Sequence, residues 1–264
     1  MAETGLVTIG KIEMPYAKFG SGPKNFVIIP GVSTRETTTF ADAVESMYAA
    51  FKDEYTLYLI DRRRQLPEGY TIKDMADDTA KVLEALNIEN ATMFGASQGG
   101  MIIMTLAAYY PKLVDKLIIG SSEYRCNDIL RAHFERWIAY AKNGEQDKLA
   151  CEMAETMYSE ATLAGNKAAI VEANKGLSDS EIEHFIRVSE ALLSYDISDV
   201  IDKILCNCLV IGSEGDKIMG ANSSVELAKA LKSDLIMYGA EFGHTVYDEA
   251  PDYLARIKEW LSKN

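Results

Sequence analysis

The residues of this sequence best suited to chemistry surround Ser97. The stretch from Gly95 to Gly99 places this serine between two glycines in the pattern Gly-x-Ser-x-Gly. A short apolar run, Ala91 to Phe94, precedes it and a helical pattern follows it, so Ser97 is expected on a sharp turn from strand to helix. On such a turn the hydroxyl projects from the sheet, and glycines leave room where strand and helix nearly touch. The pattern therefore predicts a nucleophilic serine.

A serine hydroxyl needs a general base, and histidine is the side chain that most often fills this role near neutral pH. The chain has three histidines. His133 and His184 lie in a long helical stretch and are interpreted as surface or packing residues. His244 follows the last strand-like run, Leu235 to Tyr238. His244 is therefore kept as the candidate base.

The base in turn needs a carboxylate that fixes its tautomer and stabilises the imidazolium ion. Asp216 follows the strand-like run Leu209 to Ile211 and is the predicted acid. Glu214 lies closer to the strand end and is a weaker candidate. Glu123, which follows the preceding strand-like run, is an alternative acid that the sequence leaves open.

The helix after Ser97 adds an electrostatic element to this group. Its N-terminus carries partial positive charge and points toward the serine. We expect the backbone N–H of Gln98 to donate to the oxyanion that forms when Ser97 attacks an acyl carbonyl. These residue types together predict acyl transfer to water.

Strand-like and helical patterns alternate along much of the chain, which is typical of a mostly parallel, doubly wound α/β sheet. The first two predicted strands are separated by Gly10 and Lys11, and we expect them to form a hairpin at an antiparallel edge. The predicted strands are Leu6–Ile9, Ile12–Phe19, Phe26–Ile29, Thr56–Ile60, Ala91–Phe94, Lys116–Ile119, Leu209–Ile211 and Leu235–Tyr238. The predicted helices are Ile72–Leu86, Gly99–Tyr110, Val225–Leu231 and Tyr253–Leu261.

One long stretch, residues 122–204, interrupts the alternation because it contains helical patterns and no convincing strand. We predict that it is a helical cap inserted into a core formed by residues 1–121 and 205–264. Its large apolar residues are interpreted first as packing residues, with the lining of an apolar pocket as the alternative. They are Trp137, Tyr140, Met153, Met157, Tyr158, Phe185 and Leu192.

Taken together, these features resemble the α/β-hydrolase family. The resemblance runs from the Gly-Ser-Gly-Pro turn at residues 20–23 to the last helix, and it includes the chain order Ser97, Asp216, His244. It implies the α/β-hydrolase fold, in which the base follows the last strand, and so it predicts His244 as the base. It also assigns the backbone N–H of Val32 to an oxyanion hole beside that of Gln98.

The stretch after the fourth strand, residues 61–86, also resembles the family, with one departure. Family members often have a glycine-rich D-x-R-G-x-G-x-S loop there, whereas this chain has Arg62-Arg63-Arg64-Gln65-Leu66. We do not transfer that loop's geometry. The three arginines are expected to form a solvated surface run.

Composition narrows the classes of partner. The chain has 264 residues, 48% hydrophobic and 25% charged, with a formal net charge of −13. Such an acidic surface argues against binding nucleic acid or an anionic membrane. There is no apolar run of membrane-spanning length and no export signal at the N-terminus, so a cytoplasmic location is expected. The four cysteines are expected to be reduced, and no metal-ligand pattern is visible.

The sequence thus predicts a serine hydrolase that cleaves a carboxylic ester or related acyl compound without a cofactor. Its expected partner is a small molecule with an apolar acyl part, and its oligomeric state is left open. A carbon–carbon hydrolase or lyase, a cofactor-free perhydrolase and a ligand receptor with slow turnover would use much the same residues. A Rossmann-type dinucleotide site is disfavoured, because Gly31 lacks the further glycines of that motif.

Overall fold

The computed structural model describes residues 1–264 and contains one eight-stranded sheet with the strand order β1-β2-β4-β3-β5-β6-β7-β8. A strand lies at every position where the sequence predicted one, usually longer by a few residues. The strands are β1 (Glu3–Ile9), β2 (Ile12–Gly20), β3 (Lys24–Ile29), β4 (Tyr55–Ile60), β5 (Ala91–Ala96), β6 (Val114–Gly120), β7 (Asn207–Ser213) and β8 (Asp234–Tyr238).

The predicted antiparallel edge is confirmed. Strands β1 and β2 form a hairpin in which Ile9 pairs with Ile12, and Gly10 takes the positive φ of 60° that this tight turn requires. Strand β2 also pairs antiparallel with β4, and all other neighbours in the sheet are parallel. The carboxyl ends of the parallel strands therefore meet at one edge, where ligand sites of such sheets form.

Ten α-helices accompany the sheet, and the four that the sequence predicted are among them. The helices α1 and α9 were not predicted. The helices are α1 (Ala41–Met47), α2 (Ile72–Ala85), α3 (Gln98–Tyr109), α4 (Asp128–Lys142), α5 (Gln146–Met157), α6 (Glu160–Ala173), α7 (Asp179–Leu193), α8 (Ser223–Leu231), α9 (Val246–Glu249) and α10 (Tyr253–Leu261). None of them is both long enough and apolar enough to cross a membrane.

Helices cover both faces of the sheet, which explains why its central strands are apolar on both sides. In β3, Val27 and Ile29 join a core cluster with α2, α3 and α8, whereas Phe26 and Ile28 join a second cluster with α10 on the opposite face. Burial on two faces fixes the register, since a slip by one residue would exchange the faces.

Four helices, α4 to α7, lie between β6 and β7, within the stretch where no strand was predicted. The chain enters and leaves this helical segment side by side. Cys126 donates its backbone N–H to Tyr195 O over 2.7 Å, and Ile197 donates to Tyr124 O over 2.9 Å. Buried side chains of α4, α5 and α7 continue the core cluster that also contains α2 and α3, so the segment packs on the rest of the molecule over an apolar contact.

Candidate active site

Ser97 lies on the turn between β5 and α3 with φ 54° and ψ −122°, a strained backbone conformation for a residue other than glycine. The glycines on either side have the predicted role. A Cβ on Gly95 would stand 2.4 Å from Gly99 O, and one on Gly99 would stand 2.0 Å from Ile29 O. Any side chain at either position would separate strand from helix, so this sharp turn depends on both glycines.

His244 and Asp216 are in direct contact. The distance from His244 Nδ1 to Asp216 Oδ2 is 2.9 Å, and both side chains are buried. The second carboxylate oxygen, Oδ1, accepts the backbone N–H groups of Ile218 at 2.8 Å and Met219 at 2.9 Å. These bonds fix the carboxylate, which in turn fixes the imidazole with Nε2 free to act as a base.

The loop that carries His244 is held from two sides. On the sheet side, Ser213 Oγ at the end of β7 contacts the carbonyl oxygens of Phe242 at 2.8 Å and Gly243 at 2.9 Å. On the side of the helical segment, Thr245 donates its backbone N–H to Met157 O over 3.1 Å. The position of the imidazole therefore depends on the end of α5 as well as on the sheet.

Glu249 reinforces the second anchor. Its two carboxylate oxygens each accept a backbone N–H over 2.7 Å, one from Ser159 before α6 and one from Gly243 in the histidine loop. One side chain thus joins the corner between α5 and α6 to the residue next to His244. This anchor was not foreseen from the sequence.

Ser97 and His244 line the same narrow chamber. No hydrogen bond joins Ser97 Oγ to the ring in this structure, which is common for catalytic hydrogen bonds before substrate binds. The walls come from the loop after β3 and from α4 and α5, so several large residues of the helical segment both pack and face the chamber. The other lining residues are Gly31, Val32, Phe134, Trp137, Met153, Met157, Ile218 and Tyr247.

The two alternative acids do not contact His244. Glu214 is exposed on the loop after β7. Glu123 is buried and accepts a hydrogen bond from Asn127. Burial and the nearby charge of Asp216 raise the pKa of Glu123 to about 8, so this carboxyl is largely protonated at neutral pH. The geometry therefore gives the contact with His244 to Asp216 alone.

Two backbone N–H groups beside Ser97 have no partner within the protein. They belong to Val32, in the loop after β3, and to Gln98, the first residue of α3. Val32 lines the chamber with Ser97. The first N–H groups of a helix lack an intrahelical acceptor, and their partial positive charge suits an anion. Both donors predicted for the oxyanion hole are thus free to bind one.

The expectation of three solvated arginines is wrong for Arg62. Its side chain is buried directly after β4, where its Nη2 donates to Gln98 Oε1 over 2.9 Å and to Pro30 O over 2.5 Å. Gln98 in turn donates Nε2 to Val188 O of α7 over 2.6 Å. Arg62 therefore joins the residue that follows Ser97 to the loop that carries Val32.

The other two arginines of this run differ from Arg62. Arg63 is mostly buried and pairs with Asp78 over 3.2 Å, whereas Arg64 is exposed and pairs with Glu36 over 2.9 Å. Only Arg64 fits the expected surface role. The signal that the sequence did offer was position, because Arg62 comes at the carboxyl end of a parallel strand, where sites form.

A larger cavity of about 510 Å³ adjoins the Ser97 chamber. The two share several lining residues, so they lie side by side. Hydrophobic residues make up 16 of its 24 lining residues. The shared residues are Gly31, Val32, Met153, Met157 and Tyr247.

The remaining candidates from the sequence lie elsewhere. His133 Nδ1 is 3.0 Å from Arg136 Nη2 on α4, and His184 Nε2 is 3.3 Å from the carbonyl oxygen of Arg63. All four cysteines are unpaired. No group of three His, Cys, Asp or Glu side chains is arranged to hold a metal ion.

Comparison with known proteins agrees with this architecture. A family model described as alpha/beta hydrolase fold matches residues 31–251. A relative from Caulobacter sp. (strain K31), named "Putative carbamate hydrolase RutD", is 24% identical across 96% of this chain and 97% of its own. The pyrrolizixenacetamide deacetylase of Xenorhabdus hominickii is 23% identical across 97% of both chains.

Among solved structures, MGS-M2 is similar over nearly the whole chain. It is an alpha/beta hydrolase enzyme from a Medee basin deep-sea metagenome library. The two superimpose with a TM-score of 0.85 over 96% of this chain and 95% of that chain, at 19% sequence identity. At this identity the likeness establishes a common fold.

Proposed function

Because the chain belongs to the alpha/beta hydrolase fold family and is a hydrolase of that fold, we propose that it cleaves acyl compounds with Ser97 as nucleophile, His244 as base and Asp216 as acid. One observation carries the proposal. The strained turn of Ser97 opens into the same chamber as His244, whose Nδ1 is bound to a buried carboxylate. Nucleophile, base and orienting acid are the elements that acyl transfer requires.

In the acylation step, Ser97 Oγ attacks the carbonyl carbon while its proton passes to His244 Nε2. The carbonyl oxygen becomes an oxyanion that accepts hydrogen bonds from the N–H groups of Val32 and Gln98. Asp216 stabilises the imidazolium ion that has formed. The bond to the leaving group then breaks, and the leaving group takes the proton from His244 Nε2.

In the deacylation step, His244 Nε2 removes a proton from water, and the resulting oxygen attacks the acyl carbon. The second oxyanion occupies the same two N–H donors. Its collapse breaks the bond to Ser97 Oγ, which regains the proton from His244. The products are a carboxylic acid and the free enzyme, and no electron acceptor or metal ion takes part in either step.

The proposed substrates are esters or related acyl compounds with an apolar part. The mostly hydrophobic cavity beside Ser97 supports the apolar part. The two relatives are named for carbamate hydrolysis and for deacetylation, which favours attack on an acyl carbon. We propose that the helical segment, residues 122–204, acts as a cap, because Trp137 and Met153 from two of its helices close the chamber.

The test is labelling with a fluorophosphonate probe followed by mapping of the adduct by mass spectrometry. We expect one adduct, on Ser97, and loss of both labelling and esterase turnover in Ser97→Ala. Ser33→Ala is the matched control, because it removes another hydroxyl that lines the adjoining cavity. Labelling at a different residue, or near-normal turnover in Ser97→Ala, would refute the proposed nucleophile.

A further inference from the structure

The two spaces beside the nucleophile differ greatly in size. The chamber lined by Ser97 and His244 has a volume of about 10 Å³, whereas the adjoining cavity has a volume of about 510 Å³. A space of about 10–15 Å³ holds one water-sized group, and a methyl group is of similar size. The chamber therefore has room for one small substituent of the reacting carbonyl, and the cavity has room for a large one.

Helix α4 supplies a rigid wall of the chamber. Its residues Phe134 and Trp137 both line the chamber, each is only 2% exposed, and their ring centroids are 5.0 Å apart. On the same helix, Arg131 donates Nη2 to Leu193 O of α7 over 2.9 Å. Because closely packed side chains on fixed helices do not yield to a longer group without strain, this wall limits the size of what the chamber can hold.

The side of the chamber that faces the cavity is more adaptable. Met153 and Met157 of α5 line both spaces. Methionine side chains are unbranched and flexible, so they change rotamer readily. A substrate can therefore displace these two side chains and extend from Ser97 into the cavity, while the aromatic wall on α4 stays in place.

The cavity extends from the sheet to the surface of the protein. Its inner residues Leu59 and Phe94 are buried, whereas Phe40 and Met47 are 52% and 46% exposed. In acyl transfer the leaving group must depart while the acyl group is still bonded to Ser97, and water must then reach the same place. A space that opens to solvent allows both movements. The leaving group is therefore assigned to the cavity, and the acyl group to the small chamber.

We propose that the protein selects acyl groups no larger than acetyl, carried on a large apolar alcohol. The inference rests on the proposed function, because it takes Ser97 as the residue that receives the acyl group. It differs from the expectation drawn from the sequence, in which the acyl part was the apolar part. Phe134 and Trp137 set the limit on acyl size, since they form the rigid wall of the chamber.

The test uses two isomeric esters, hexyl acetate and ethyl hexanoate. They have the same composition and differ only in which side of the ester bond carries the longer chain. The acid released is titrated, and kcat/KM is compared. We expect the parent to favour hexyl acetate at least about tenfold, because one surplus methylene in a pocket of fixed size already costs about tenfold or more. Phe134→Ala widens the chamber and should reduce this preference at least about fivefold.

The matched control is Phe185→Ala, because Phe185 is a fully buried phenylalanine of α7 that does not line the chamber. It should leave the preference for hexyl acetate unchanged. Folding is checked by circular dichroism, and Phe134→Leu with Phe185→Leu replaces the alanine pair if either alanine variant unfolds. Equal or faster cleavage of ethyl hexanoate by the parent, or an equal change of the preference in the Phe134 and Phe185 variants, would overturn the proposal.

The proposed nucleophile and the proposed substrate class can fail separately. If the fluorophosphonate probe labels Ser97 but hexyl acetate is not cleaved, the substrate class is overturned and the nucleophile stands. If hexyl acetate is still cleaved at the parent rate by Ser97→Ala, the nucleophile is refuted, and the proposal that rests on it falls as well.

Discussion

Replacing Asp216 by Asn tests the hydrogen bonds around the imidazole more sharply than any other change. The carboxylate has two acceptor oxygens, one for His244 Nδ1 at 2.9 Å and one shared by the N–H groups of Ile218 and Met219. An amide has one acceptor and one donor. It can satisfy either the two backbone N–H groups or the imidazole N–H, and not both.

The free-energy cost of the lost hydrogen bonds decides which way the introduced amide faces. If the amide NH₂ faced Ile218 and Met219, two buried donors would lose their acceptor at about 1–3 kcal/mol each. The amide oxygen will therefore face the backbone and its NH₂ will face His244, which favours the tautomer with the proton on Nε2. A bias of about 2 kcal/mol leaves roughly one molecule in 30 with a usable base. Loss of the negative charge beside the imidazolium ion adds to this effect.

We expect kcat on an activated ester to fall on the order of 10²–10⁴-fold in Asp216→Asn, in line with the about 10⁴-fold loss for the same exchange in the serine protease triad. Glu123→Gln and Glu214→Gln are the matched controls and should stay within about tenfold of the parent. Folding is checked by circular dichroism, and ¹⁵N NMR reports the imidazole tautomer. A severe loss in Glu123→Gln with a mild one in Asp216→Asn would refute the reasoning and move the acid to Glu123.

Two further outcomes follow from buried groups near the site. Arg62→Met should lower kcat at least about tenfold with little change in KM, because it releases Gln98 and Pro30 beside the oxyanion donors. The control is Arg64→Met at the exposed neighbour, whose kcat should stay within about twofold of the parent. Equal losses of kcat in the two variants would contradict the positioning role of Arg62. The raised pKa of Glu123, about 8, means that the folded protein holds a proton which the unfolded chain releases near its ordinary pKa. That stabilisation is complete below the unfolded pKa and is lost as pH rises through about 8. The free energy of unfolding is therefore measured in urea at pH 5 and at pH 9 for Glu123→Gln and for the parent. At the higher pH the variant should gain a few kcal/mol relative to the parent, at about 1.4 kcal/mol per unit of pKa shift. A difference between the two proteins that does not change with pH would contradict this account.

The sheet could be predicted from the sequence because burial on both faces leaves short apolar runs at every strand. The turn at Ser97 was equally visible, since only glycine fits at Gly95 and Gly99. Helix α1 was not visible because it buries only Ala41 and so lacks an apolar stripe. Hydrophobic patterns in the sequence therefore predict a strand or helix well where that element buries many side chains, and poorly where it buries few.

The contacts that the sequence concealed join residues far apart along the chain. A run of three arginines predicts solvation, and nothing local to Arg62 indicates that Gln98 and Pro30 will surround it.

Backbone hydrogen bonds pair the two ends of the helical segment, Cys126 with Tyr195 and Ile197 with Tyr124. This pairing affects which changes of sequence and length the segment can accept during evolution. Because the two ends of the helical segment are bonded to each other, the distance between β6 and β7 does not depend on the length or sequence of the segment. Each doubling of a loop's length costs only about 0.6 kcal/mol in closure entropy. Insertions, deletions and wholesale exchange between Cys126 and Tyr195 are thus open to selection, provided that the corner at Met157 and Ser159 still holds the histidine loop.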